Sequence, residues 1–209
     1  HSTLRAHQLD ITTNNRLTKD GIVDADGNDV ENFNFDGGGG LTVTMGYAQA
    51  VQNQTSNIHF GQQSDVFVTG ARGDEGVATI KALSLNKMDT RARVSTGGAI
   101  SIPQSLARNT AVSSNGIYFE DGSLLATQRG NMNLRTSGAA DIDSHAKTSV
   151  WGLAGAGAAG KAYATLTSNE TINLANGSVV RANGYMNAYA GEDIYASDIN
   201  VLAKTSIYN

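Results

Sequence analysis

The sequence predicts an all-β protein, a single parallel β-helix preceded by an irregular N-terminal segment. The first observation is a strand, turn, strand unit that occurs three times. Ile172-x-Leu174 leads through Asn176-Gly177-Ser178 into Val179-Val180 and closes at Gly184. Ile117-x-Phe119, Asp121-Gly122-Ser123, Leu124-Leu125 and Gly130 repeat it, as do Ile58-x-Phe60, Gly61-Gln62-Gln63-Ser64, Val66-x-Val68 and Gly70. A two-residue side-chain period on both sides of a polar corner is the mark of strands joined by a tight bend, and glycine supplies the positive φ the bend needs. The second observation is spacing: the copies start at 58, 117 and 172, which fits three turns of a coil of roughly twenty residues and some eight to ten coils in all. The third is composition. With 24 glycines, 6% aromatic residues and 16% charge, the chain lacks the large rings of a globular core but suits a thin solenoid filled by small aliphatic side chains.

Taken in order, the chain divides into an N-terminal segment 1–40 with acidic and glycine-rich loops, followed by β-helix repeats over 41–209. Leu4, Ala6, Leu9 and Ile11 alternate with polar residues as a first strand. The acidic run that follows contains Asp20, Asp24, Asp26, Asn28, Asp29 and Glu31. Alternate carboxylates in a glycine-containing turn suit one hard cation, so these residues are candidate calcium ligands. They depart from the EF-hand pattern, because the sixth position from Asp24 is Asp29 instead of glycine and the twelfth is Phe35 instead of glutamate. Gly37 to Gly40 reads as a flexible bend.

From Leu41 onward, strand patterns dominate. Residues 46–51 match 160–165 at the same offset of 114 that separates Ile58 from Ile172, so the duplication extends beyond the corner motif. Arg72-Gly73-Asp74 lies in a glycine-rich turn between two strand-like runs and is a candidate receptor-binding tripeptide. Val77 to Leu85 and Arg91 to Ile102 alternate as strands, Pro103 is expected to end the second of them for want of an amide donor, and 105–114 reads as a loop. Gly155-Ala156-Gly157-Ala158-Ala159-Gly160 satisfies a dinucleotide-loop pattern, but strand-like sequence follows it where that site requires a helix. Short strands continue through 185–189, 194–196 and 199–207.

Several function classes are excluded or left without support. There is no cysteine, hence no disulfide framework and no thiolate metal site. A net charge of −4 gives no basic footprint for nucleic acid, and no apolar run approaches the length of a membrane span. The chain opens on His1, as a processed or excised piece of a larger protein does. His1, His7, His59 and His145 are scattered and no nucleophile is paired with a base, so the chain is read as a non-enzyme. Alternation points His59 away from the core.

The Gly155 to Gly160 run, Ile172-x-Leu174, Gly177-Ser178-Val179, Ala182-x-Gly184, Ala188 and Ile199-x-Val201 together resemble the β-helical repeat regions of giant bacterial secreted and surface proteins, such as filamentous haemagglutinin and autotransporter-type adhesins. The resemblance implies an extracellular structural or adhesive subunit at the cell surface. Its partners would be further copies of itself stacked end to end, or the rest of a larger solenoid, with a cell-surface receptor or polysaccharide as target. The alternative is a carbohydrate-active β-helix or polysaccharide-binding module, in which Lys81, Lys87, Arg91 and Arg93 would share one face.

Overall fold

The computed structural model describes residues 1–19, 22–23, 29–30 and 33–208. No helix occurs among them. The strands are β1 (Ser2–Ala6), β2 (Leu9–Lys19), β3 (Ile22–Val23), β4 (Asp29–Val30), β5 (Phe33–Phe60), β6 (Ser64–Val68), β7 (Ala78–Phe119), β8 (Leu124–Thr127), β9 (Met132–Ala156), β10 (Ala159–Leu174), β11 (Val179–Arg181), β12 (Met186–Glu192) and β13 (Asp198–Tyr208). A four-stranded sheet runs β1-β6-β8-β11, and a seven-stranded sheet joins β2, β5, β7, β9, β10, β12 and β13; every pairing in both is parallel. Among the described residues only the two-residue ribbon of β3 and β4 is antiparallel.

The repeat copies are direct neighbours in the ladder. Ile58 pairs with Ile117, and Ile117 with Ile172. The spacing therefore measures one return of the chain, and the expected coil of about twenty residues is wrong. Four passes cover the described chain: β1-β2-β5, β6-β7, β8-β9-β10 and β11-β12-β13. The offset of 114 follows directly, since Gly46 and Gly160 flank Ser105 on opposite sides of the same column.

Within a pass the long sheet curls until its halves face each other. In β7 the side chain of Asn86 donates to Ser113 at 3.0 Å, Thr90 to Asn109 at 2.6 Å, and the hydroxyls of Thr96 and Ser101 meet at 2.5 Å. An outgoing arm, 78–96, thus lies against a returning arm, 101–119. The third pass does the same: Ser144 donates to the carbonyl of Tyr163 and Thr148 to that of Ala159, at 2.8 and 2.9 Å.

This geometry explains the expectations that failed. Residues 105–114 are strand, with Ser105, Asn109 and Ser113 fully buried, because their polar groups are satisfied across the gap between arms. Pro103 does not end β7. The ladder towards β10 begins one residue later, at Gln104 and Ala159, so no third-pass partner asks for its missing amide. The tetraglycine is paired strand beside the reversal of the chain. A Cβ on Gly98 would lie 1.8 Å from the carbonyl oxygen of Gly39, so the passes approach there as only glycine permits. Strand β5 runs unbroken across residue 40.

The core is graded along this cross-section. Near the short sheet, Ile58, Phe60, Val68, Ile80, Ile117, Phe119 and Leu125 form one apolar cluster, with Phe60 and Phe119 stacked at 4.6 Å. Each such side chain contributes about 1.5–3 kcal/mol on burial. Further out, the interior narrows to Ala48, Ala92, Ala107 and Ala146, interleaved with hydrogen-bonded Ser, Thr and Asn. Small side chains let the two arms come close enough for those bonds to form.

Candidate binding face

Because successive passes pair residue by residue, any extra residues in one pass must leave the ladder. The larger insertions number three, all on the outgoing arm or at its start; a one-residue shift also falls at the chain reversal, between the pairs Gly98–Gly152 and Ile100–Gly155.

At the corner into that arm the passes use residues 7–8, 69–77, 128–131 and 182–185. The second corner is longest, and it carries Arg72, Gly73 and Asp74. Its base is held from both sides: Thr69 N donates to Ala6 O at 2.9 Å, Gly70 N to His7 O at 3.1 Å, His7 Nδ1 to Gly70 O at 2.8 Å, and Gly76 N to Arg129 O at 2.5 Å. Its tip is a turn closed by Asp74 N to Ala71 O at 3.0 Å, with Gly73 at φ +94°. Arg72, Gly73 and Asp74 are all exposed. The tripeptide therefore lies exposed at the tip of a turn whose base is clamped by the neighbouring passes.

The second insertion lies between Lys19, paired with Met88, and Phe33, paired with Ala92. Residues 20–32 thus occupy a step that needs only 89–91 in the next pass. This is the acidic run. Asp20, Asp24, Asp26, Asn28 and Glu31 lie outside the described residues, and Asp29 is placed only as part of the ribbon strand β4. Among the described residues no group of three His, Cys, Asp or Glu side chains is gathered for a metal.

The third insertion is 193–197, opposite 139–140 of the pass below. It forms one wall of an open groove of about 350 Å³ lined by Asn133, Arg135, Asn187, Tyr189, Asp193 and Tyr195 among others. Arg135 pairs with Asp193 at 2.5 Å and its guanidinium sits 5.6 Å from the Tyr189 ring centroid. Sequence reasoning missed this groove. Its local signs in the sequence are Asn187-x-Tyr189 and, six residues on, Tyr195.

Charge follows the same face. Lys81, Lys87, Asp89, Arg91 and Arg93 occupy alternate, partly exposed positions of β7, and the outward row is laced with ion pairs, Lys87 to Asp141 at 3.1 Å and Arg91 to Asp89 at 2.8 Å. The four basic residues singled out in the sequence do share one side. By contrast, the outward rows of the returning arm include Val51-Thr110-Thr165, Asn53-Val112-Thr167 and Thr55-Ser114-Asn169, where charge is sparse. His59 is exposed as expected, stacked on Tyr118 at 4.8 Å and 3.5 Å from Glu120.

Inside the returning arm, Glu170 receives hydrogen bonds from Ser168 at 2.7 Å and Asn115 at 2.9 Å. Burial nevertheless pushes its carboxyl above the ordinary carboxylate range, outweighing those bonds. No long apolar helix is present among the described residues.

What fold and site define together is an all-β ladder of parallel strands whose larger insertions lie on or beside one charged arm. No family model, curated protein or solved structure matches the chain.

Proposed function

We propose that this chain is an extracellular structural or adhesive subunit, built as a single right-handed parallel β-helix with unusually wide coils, and that it acts without catalysis. The right hand is the general preference of strand, crossover, parallel strand connections. Assembly through the ladder ends is the structural half of the proposal. Among the described residues strand β5 pairs only with β7 and β13 only with β9, leaving one edge of each without a strand. Leu41, Val43 and Met45 on β5 are 70, 73 and 68% exposed, and this observation carries the reading. An edge strand with a bare apolar row templates further association.

The two ends differ by one arm. The fourth pass covers β9 but places no strand over β10 among the described residues. A second copy set squarely on top would leave a gap one strand deep there.

Sedimentation velocity across a wide concentration range, with electron microscopy of the same samples, tests the assembly. Species that lengthen with concentration, and that Ile199→Lys with Val201→Pro suppresses, are expected. A monomer at every concentration would overturn it.

The adhesive half rests on the exposed Arg72-Gly73-Asp74 turn. Cells bearing Arg-Gly-Asp-dependent receptors should attach to a surface coated with the protein, and Asp74→Glu should abolish attachment. The reading as a polysaccharide-binding module is favoured by the shared face of Lys81, Lys87, Arg91 and Arg93. Calcium, if it is bound, would be held by the acidic insertion 20–32.

A further inference from the structure

We infer that the groove beside the 193–197 insertion is a saccharide subsite that takes a linear, neutral glycan. The inference rests on the adhesive reading and gives its target a chemistry.

The groove combines two features that sugar rings require. A pyranose presents an apolar face of C–H bonds and a rim of hydroxyls, so its receptor needs flat, exposed rings flanked by planar polar groups. Tyr195, in the groove lining, is 96% exposed. A large ring held this far into water, at the margin of a built groove, is unusual outside recognition surfaces. Asn187 and Tyr189 stand at alternate positions of β12, so they share one side of that strand within the groove.

The groove is also pre-shaped. Tyr189 Oη donates to Glu192 O at 2.7 Å, Ala196 N to Asp193 O at 3.2 Å, and Ser197 Oγ to Asp193 O at 2.9 Å. These bonds fix the insertion, and the Arg135 to Asp193 pair ties it to the pass below. Little ordering cost therefore remains for the ligand to meet. Asn133 and Asn187, stacked at neighbouring ladder positions, place amides on the groove floor, where they can both donate to and accept from hydroxyls.

Charge selects among glycans. Among the residues that line the groove, one guanidinium, already paired, meets the two carboxylates of Glu192 and Asp193, with Lys81 beside Arg135 on the pass below but outside the lining. The excess is negative, which disfavours uronic or sulfated chains.

The test uses the full chain and isothermal titration against soluble neutral hexasaccharides of glucose, mannose, xylose and galactose, with polygalacturonate and heparin as acidic probes. Saturable binding of at least one neutral hexasaccharide is expected, with acidic probes at least tenfold weaker. Tyr195→Ala should weaken it about tenfold, the scale of 1.4 kcal/mol, while circular dichroism stays unchanged. Arg72→Ala with Asp74→Ala should leave glycan binding intact. No binding to any neutral probe, tighter binding of the acidic ones, or binding indifferent to Tyr195→Ala would overturn the inference. If glycan binding fails while Asp74-dependent cell attachment persists, the subsite is wrong and the adhesive reading stands.

Discussion

Asn109 offers the sharpest probe of the polar interior. It is fully buried, and its side chain makes three hydrogen bonds. Thr90 Oγ1 donates to its Oδ1 at 2.6 Å, and its Nδ2 donates to Asp143 O at 2.7 Å and Ser144 Oγ at 2.8 Å. Its column neighbours in the passes on either side are Ala50 and Ala164, so alanine fits the column and the backbone need not move. Asn109→Ala should then cost mainly hydrogen bonding, at roughly 1 kcal/mol per bond with more for polar groups left buried, or about 2–4 kcal/mol in all. Equilibrium urea unfolding of the full chain measures it. Adding Thr90→Val and Ser144→Ala removes most of the stranded partners and should recover at least half of the loss, because replacing both sides of a buried hydrogen bond is far milder than removing one. The reasoning fails if Asn109→Ala costs less than about 0.5 kcal/mol, the range of an ordinary surface change, or if the triple variant is less stable than the single one.

Other outcomes follow from the same geometry. Gly98→Ala drives a methyl against the Gly39 carbonyl and should destabilise the protein strongly, whereas Gly155→Ala, with nothing within 4 Å of the new atom, should leave the urea midpoint nearly unchanged. Gln63 holds φ +54° where the next two passes place Gly122 and Gly177 at +67° and +69°. Gln63→Gly relieves about 1–2 kcal/mol of left-handed strain against a smaller loss of chain entropy, so thermal unfolding should shift up or stay level. Glu170 has a folded-state pKa above its ordinary value of 4.5. Its contribution to stability is therefore fully present below that ordinary value and is lost as pH rises through the raised folded one. Glu170→Gln should stabilise the protein at neutral pH and flatten this slope, as melting curves at several pH values would register.

The sequence carried the strand character and the repeat clearly, because Ile58, Ile117 and Ile172 sit in one column and their flanking glycines keep the same corner. It did not carry the length of a circuit. Alternation has a period of two whatever the number of strands between copies, so 55 residues read as easily as three short coils as one wide one. The polar interior was hidden for a related reason. Ser105, Asn109 and Ser113 look like a loop until Asn86 and Thr90 are seen opposite them, a pairing set by a chain reversal near Gly98. Arg72-Gly73-Asp74 was legible as a contiguous triplet. The tyrosine groove was not, since Arg135 and Asp193 meet only after the chain has travelled one full circuit.

The register itself is open to direct measurement. The chain has no cysteine, so an introduced pair is unambiguous. Thr110 and Thr165 are ladder partners on the outer side of the returning arm, placing their Cα atoms about 4.8 Å apart, within disulfide reach. Under mild oxidation at low protein concentration, Thr110→Cys with Thr165→Cys should form an intramolecular disulfide rapidly, and Thr110→Cys with Arg129→Cys should form none. Bridging of the second pair in place of the first would contradict the wide circuit and restore a coil of about twenty residues.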